Sequence, residues 1–126
     1  MGRGSRVTEM ANRNRLAEVL MQDGWGVFVP LIDDGIDLIA YREDTREFRL
    51  IQQKARWTID RKYIGRGLWV AFPDNEHWYL VPHDRLADTA PDGTLESKSW
   101  TGPGIYSRAT LSKAMREQLA AFRLAI

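Results

Sequence analysis

The sequence contains no cysteine. A disulfide framework and thiolate metal sites are therefore excluded, and the composition is compatible with a reducing compartment. Long apolar runs are also missing, because none reaches the roughly 20 residues that a membrane-spanning helix needs. Since the first residues lack the apolar core of a signal peptide as well, we expect a cytoplasmic protein without a membrane partner.

No charge of one sign dominates the chain, because 18 Lys and Arg residues offset 17 Asp and Glu residues for a net charge of +1. Composition alone therefore gives no argument for a nucleic-acid partner. The distribution is more informative, since Asp60 is the only acid between residues 54 and 66. Clustered basic side chains can neutralise phosphates, although they are more often a solvated face. The candidates for nucleic-acid contact are Arg56, Arg61, Lys62 and Arg66.

The apolar share of 44% and the five Trp, four Tyr and four Phe residues are sufficient for one packed core in 126 residues. We therefore expect a single domain over residues 1–126, of the α/β class. Hydrophobic periodicity and turn residues predict a helix over 8–22 with Thr8 as its N-cap, strands over 26–31, 36–42, 47–55, 68–72 and 77–81, an irregular segment over 84–106 and a C-terminal helix over 110–124. Residues 58–65 are ambiguous and could hold one or two helical turns. This order predicts a mixed central sheet flanked by helices, with the second and third strands antiparallel.

Three polar residues in the second and third predicted strands are not easily explained by packing. Asp37 lies in an apolar strand, where a charge is expensive to bury without a partner. Gln52 and Lys54 share one face of the next strand, and a short antiparallel hairpin would bring Asp37 near them. A carboxylate, a second oxygen ligand and a lysine suit phosphodiester hydrolysis. Mg²⁺ prefers oxygen ligands and acidifies a bound water, and lysine stabilises the charge that develops.

Asp37, followed after fourteen residues by Gln52-Gln53-Lys54, resembles the D-x(n)-(E/Q)-x-K core of the PD-(D/E)xK nucleases. This family includes archaeal Holliday junction resolvases and some restriction and homing endonucleases, and its αβββαβ order matches residues 8–82. The resemblance implies a restriction-endonuclease-like core and an endonuclease that cleaves DNA with Mg²⁺ or Mn²⁺. It also implies that Asp37 and Gln52 bind the metal and that Lys54 assists attack.

Further roles come from the resemblance alone. A glutamate of the first helix often joins the site in this family, and Glu18 is the matching candidate. The backbone carbonyl of Gln53 would be an additional metal ligand, and a homodimer is implied because many relatives act as dimers. The chain departs from the motif at Gln52, where most members have Glu or Asp. The site therefore has one negative charge fewer and should hold a divalent cation less tightly.

The sequence leaves three other readings open. Asp37 and Lys54 could form a structural ion pair in an ordinary sheet. The domain could be a catalytically inactive nuclease-like module that binds nucleic acid or protein. The C-terminal helix could mediate dimerisation in an assembly protein, although its apolar stripe equally suits covering the sheet. His77 and His83 flank the fifth strand, and we expect them to be ordinary polar residues at strand ends, too far apart to share a metal.

Overall fold

Two sheets and four α-helices make up the computed structural model, which describes residues 2–124. The helices are α1 (Arg3–Gln22), α2 (His83–Asp88), α3 (Lys98–Thr101) and α4 (Lys113–Leu119). The strands are β1 (Gly26–Phe28), β2 (Leu38–Arg42), β3 (Glu47–Gln53), β4 (Trp57–Asp60), β5 (Trp69–Asp74), β6 (His77–Pro82) and β7 (Ile105–Arg108). The predicted α/β class, with a mixed sheet, flanking helices and an additional C-terminal helix, is confirmed.

The larger sheet has the strand order β1-β2-β3-β5-β6, and β4 pairs with β7 in a second sheet of two strands. The predicted antiparallel pairing of β2 with β3 is confirmed, and β3 runs parallel to β5. A parallel pair needs a crossover connection. This crossover holds β4 and a 3₁₀ turn at Arg61–Tyr63 in place of the α-helix of the expected αβββαβ order. The difference arises because β4 pairs with β7, which is distant in sequence.

Helix α1 begins at Arg3, so the prediction that it starts with Thr8 as N-cap was wrong. Thr8 lies inside the helix, where its hydroxyl donates a hydrogen bond of 3.0 Å to the Gly4 carbonyl. The additional turn and a half extends α1 toward the end of β3, where the Gln53 side-chain amide donates to the Glu9 carbonyl at 3.2 Å. No helix within residues 2–124 is long and apolar enough to cross a membrane.

The segment over residues 84–106, predicted to be irregular, contains α3, most of α2, the first two residues of β7 and a 3₁₀ turn at Thr94–Glu96. The C-terminal helix is shorter than the predicted 110–124, because α4 ends at Leu119 and a 3₁₀ turn follows at Ala120–Phe122. Its apolar residues are buried within this chain, with Met115 2% and Leu119 1% exposed. The apolar stripe of α4 therefore covers the sheet.

Apolar residues cover both faces of the larger sheet, which is typical of a sheet with a parallel strand pair. On one face, α1 packs over β2, β3, β5 and β6 through a cluster that includes Leu16, Leu20, Leu38, Ile51, Ala71 and Leu80. On the other face, β4, α2, α3 and α4 contribute to a cluster that includes Trp57, Ile59, Val70, Phe72, Val81, Leu86, Trp100 and Leu119. The β2–β3 hairpin is therefore packed against α1 through its buried apolar residues, and polar side chains lie at its open end.

Truncation of Ile51 should test this packing. Ile51 is 0% exposed beneath α1, and an Ile→Ala change in a core costs about 2–5 kcal/mol because a cavity remains. We expect Ile51→Ala to lower the free energy of unfolding in urea by that amount. Phe48→Ala is the matched control, because Phe48 lies on the same strand and is 67% exposed. Equal losses in the two variants would contradict the assigned faces of β3.

Candidate active site at the end of the β2–β3 hairpin

Asp37 is fixed by two hydrogen bonds at the open end of the hairpin. Its backbone N–H donates to the Ile51 carbonyl at 2.8 Å, and its Oδ2 accepts from the Gln53 backbone N–H, also at 2.8 Å. The chain reaches Asp37 through a turn in which Gly35 has a φ of +90°, a conformation that favours glycine. In this turn the Gly35 N–H donates to Asp33 Oδ1 at 3.0 Å. The local backbone thus sets the position of the Asp37 carboxylate.

The surroundings of Asp37 disfavour its negative charge. Burial raises the pKa of this carboxyl above its usual value of 3.8, and the hydrogen bond from the Gln53 N–H opposes that effect. The Asp33 carboxylate raises the pKa further through its charge and a shared hydrogen bond, whereas the charge of Lys54 lowers it. A cation bound beside two neighbouring carboxylates would remove this penalty.

Two cavities meet at this end of the sheet. The first, of about 300 Å³, lies between α1, the segment before β2 and the end of β3, and its polar lining consists of Arg6, Glu9, Arg13, Asp33, Asp37 and Gln53. The second, of about 510 Å³, is lined by the first turns of α1 and by Gln53, Lys54 and Ala55. Glu9 and Gln53 line both cavities. Asp37 and Lys54 therefore lie on either side of Gln53, facing the same part of α1.

Gln52 is placed differently from Asp37 and Lys54. The pairing of β2 with β3 begins at Leu38 opposite Ile51, so Asp37 lies one residue before the paired segment. Gln52 pairs with Val70 of β5, and it lines neither of the two cavities. Its Oε1 atom is buried and accepts no hydrogen bond from residues 2–124. A buried amide oxygen without a partner is costly and is available as a ligand.

Asp37 and Lys54 do not form a close ion pair. The five ion pairs in the part of the chain described all join other residues. Lys54 is nevertheless near enough for its charge to lower the pKa of Asp37. This arrangement leaves the Lys54 ammonium available for a ligand, in contrast to a structural salt bridge, which would engage it directly.

The structure does not bring Glu18 to the two cavities. Glu18 is exposed on α1 and lines neither cavity, whereas Glu9 lines both. The two residues are separated by about 13 Å along the helix at 1.5 Å per residue. Glu9 lies within the predicted helix 8–22 but has no local signal of its own, because only the packing of α1 against the end of β3 distinguishes it from Glu18. A helix that begins earlier puts Arg6, Glu9 and Arg13 on one face, at spacings of three and four residues.

The four basic candidates of the crossover have unequal roles. Arg56, Lys62 and Arg66 are exposed on the surface. Arg61 instead uses its guanidinium to close the end of α3, donating to the Trp100, Thr101 and Gly102 carbonyls at 3.0–3.3 Å. The Arg61 guanidinium therefore makes most of its hydrogen bonds within the fold and has few N–H groups left for a ligand.

The oxygen atoms at the hairpin end, from carboxylates and an amide, are of the type that Mg²⁺ and Mn²⁺ prefer as ligands. Within residues 2–124, no three His, Asp or Glu side chains are grouped closely enough to hold a metal ion. Mg²⁺ does not require such a cage, because it is commonly held by one or two carboxylates together with water and substrate phosphate. The oxygen atoms present at the hairpin end are the Asp37 carboxylate, with Asp33 near it, and the buried Gln52 Oε1, which has no hydrogen-bond partner within residues 2–124.

The chain matches no protein-family model, and no curated protein is significantly similar to it. Among solved structures, it is similar to a bacterial homing endonuclease, with 22% sequence identity over 69% of this chain and 70% of that chain and a TM-score of 0.47. Likeness of this degree establishes nothing about activity. The functional inference therefore depends on the site residues of this chain.

The raised pKa of Asp37 predicts a measurable effect on stability. A carboxyl with a raised folded-state pKa opposes folding when it is ionised, above that pKa, and the penalty disappears once the pH falls below the unfolded-state value. We expect Asp37→Asn to raise the Tm near neutral pH, and we expect the gain to shrink as the pH is lowered. Asp44→Asn, in the exposed loop between β2 and β3, is the control. A loss of Tm in Asp37→Asn that is independent of pH would contradict the assignment.

Proposed function

We propose that this chain is a divalent-cation-dependent endonuclease that hydrolyses phosphodiester bonds in DNA, with Asp37 at the centre of its site. The observation that supports the proposal most strongly is the state of the Asp37 carboxylate. Burial and the neighbouring Asp33 raise its pKa, yet the Gln53 N–H fixes it in position beside a cavity. A half-buried carboxylate with a raised pKa at the edge of a cavity is characteristic of functional sites.

In this proposal, the Asp37 carboxylate, the Gln52 side-chain oxygen and the Gln53 backbone carbonyl hold the cation. When bound, Mg²⁺ or Mn²⁺ would acidify a water molecule and neutralise charge on the phosphate. Asp37 keeps one carboxylate oxygen for this task, because the Gln53 N–H engages only Oδ2. The role of this hydrogen bond is to orient the ligand, as partners of metal-binding carboxylates commonly do.

In this proposal, Lys54 stabilises negative charge on the phosphate. It lines the cavity next to that of Asp37, and it is not committed to a close ion pair within residues 2–124. An ammonium group placed in advance where charge develops lowers the barrier without reorganisation. The exposed Arg56, Lys62 and Arg66 would neutralise further phosphates along the bound strand.

Of the two glutamates in α1, Glu9 has the better position for a role in the site, because it lines both cavities and Glu18 lines neither. Its carboxylate can orient the attacking water or accept its proton. Glu18, the candidate from the family resemblance, would need to act from the exposed surface of α1. The contribution of each glutamate is therefore part of the test.

The second candidate function is a nuclease-like module that binds nucleic acid or protein without cleaving it. Two observations favour it, since Gln52 stands where most members of the similar nuclease family have an acid, and residues 2–124 contain no cluster of three metal-binding side chains. Both observations lower the expected affinity for a divalent cation.

Loss of the two central side chains should abolish cleavage. We expect Asp37→Ala and Lys54→Ala each to reduce Mg²⁺-dependent nicking of supercoiled plasmid DNA by about 100-fold or more, because each removes a group that acts on the transition state. Asp44→Ala and Lys113→Ala, which change the same charges on the exposed surface, should retain activity. Undiminished cleavage in both site variants would rule out the proposed site.

A matched pair of helix variants completes this experiment. Glu9→Gln and Glu18→Gln remove the same charge from the same helix. A larger loss in Glu9→Gln is expected from its place in the cavities. A loss confined to Glu18→Gln would support the assignment by family resemblance instead.

Gln52→Glu separates a working site from an inactive one. The substitution restores the missing negative charge at the amide position, so cation affinity should rise by about tenfold, together with the cleavage rate. Calorimetric titration with Mn²⁺ measures the first quantity and plasmid nicking the second. Failure of both the wild type and Gln52→Glu to bind Mn²⁺ would support the binding module and contradict the endonuclease.

A further inference from the structure

The basic turn of the crossover is held at both ends by two adjacent residues of another element. This turn, Arg61–Tyr63, carries Lys62, and Arg66 follows it. On its N-terminal side, the Asp60 backbone N–H donates to His83 Nε2 at 3.0 Å. On its C-terminal side, the Gly65 N–H donates to the Asp84 carboxylate at 3.0 Å. His83 and Asp84 are the first two residues of α2.

The contacts of His83 determine where its proton lies. A backbone N–H only donates, so the Nε2 atom that accepts from Asp60 must be unprotonated. The ring proton of a neutral imidazole is then on Nδ1, which lies 3.2 Å from Asp84 Oδ1 and donates to it. His83 is 1% exposed. The Nε2 atom of this buried histidine therefore connects α2 to the crossover, and Nδ1 contacts the next residue of α2.

A third contact joins the same residue to the turn. The Tyr63 ring meets the His83 ring edge to face, with 5.9 Å between the ring centres and an angle of 84° between their planes. Tyr63 is itself buried, and its other surroundings include the Lys62 and Arg66 side chains, 5.2 and 5.7 Å from its ring centre. Movement of the His83 ring would therefore disturb the Tyr63 ring, which both cations contact.

We propose that His83 is a positioning residue for the basic turn, and that protonation of its Nε2 atom releases Lys62 and Arg66 from their nucleic-acid-binding arrangement. This proposal rests on the proposed function for the identity of the ligand. A protonated ring would point an N–H group at the Asp60 N–H, so the anchoring hydrogen bond could not form. The imidazolium would also be a buried charge, which favours opening of the local structure.

Charged groups of both signs surround His83. They are the Asp84 carboxylate on α2 and, on the crossover, buried Asp60 and the Lys62 and Arg66 cations. From the segment before β5 the contact is a carbonyl, that of Leu68, which accepts from the His83 backbone N–H at 2.8 Å. Because release follows protonation of the ring, it is expected as the pH falls.

Three variants distinguish a role of His83 in positioning the basic turn from a role in fold stability alone. His83→Gln keeps an acceptor of similar reach for the Asp60 N–H but does not titrate, and His83→Leu removes the acceptor. Asp84→Ala removes the second anchor together with the acceptor of the His83 Nδ1 proton, from a side chain that is 55% exposed, and should fold even if His83→Leu does not. His77→Gln is the control, because His77 lies at the far end of β6.

The readout is the salt dependence of binding to a fluorescein-labelled DNA duplex in EDTA, measured by anisotropy at pH values from about 8 down to about 5, where histidine ordinarily titrates. Each phosphate contact contributes about 0.9 to the magnitude of the slope of log K against log salt concentration.

In the wild type and in His77→Gln, we expect the magnitude of this slope to fall by about 2 on acidification, because two cations are released. His83→Gln should keep the full slope at both pH values, and Asp84→Ala should have a reduced slope at both. An identical pH dependence in the wild type and His83→Gln would overturn the proposal.

Hydrogen exchange keeps this test independent of the proposed function. After correction for the intrinsic pH dependence of exchange, the Asp60 and Gly65 amides should lose protection at low pH in the wild type but not in His83→Gln. If no variant binds DNA at any pH but this difference in protection is observed, the proposed function fails and the positioning role of His83 holds. Unchanged protection of both amides in the wild type at low pH would refute the positioning role, whatever the DNA measurements give.

Discussion

The hydrogen bond from the Gln53 N–H to Asp37 Oδ2 is the interaction on which the candidate site depends. It connects the segment before β2 to the last residue of β3, and it does so with a carboxylate that burial and Asp33 make unfavourable to ionise. Such a group weakens the fold unless a ligand compensates it. Residues that lower the stability of a fold in this way are commonly found at binding or catalytic sites.

The remainder of the fold gives this strand end a rigid support. The buried cluster beneath α1 holds β3 through Ile51, and the early turns of α1 line the two cavities next to Gln53. The crossover between β3 and β5 then continues from Lys54 toward the exposed basic residues, and α2 anchors it through His83 and Asp84. The site and the basic surface are therefore consecutive parts of one chain segment.

The sequence was sufficient where the signals were local. Short apolar segments bounded by turn residues located β2, β3, β5 and β6, and the isolated charge in a predicted apolar strand identified Asp37, whose carboxyl has a raised pKa. It was insufficient where a long-range contact decided the outcome. The β4 strand forms because it pairs with β7, and neither segment has a clear periodicity of its own. The true start of α1 has no capping side chain to mark it, and Glu9 is distinguished from Glu18 only by the packing of the first turns of α1 over Gln53.

The measurement that tests the account most directly is the anomalous scattering of a crystal soaked in Mn²⁺. We expect one anomalous difference peak at coordination distance from the Asp37 carboxylate, on the side of Gln52, and no peak there in Asp37→Ala. A crystal of the wild type that is saturated with Mn²⁺ but has no peak beside Asp37 would contradict the claim that this strand end is a metal-dependent site.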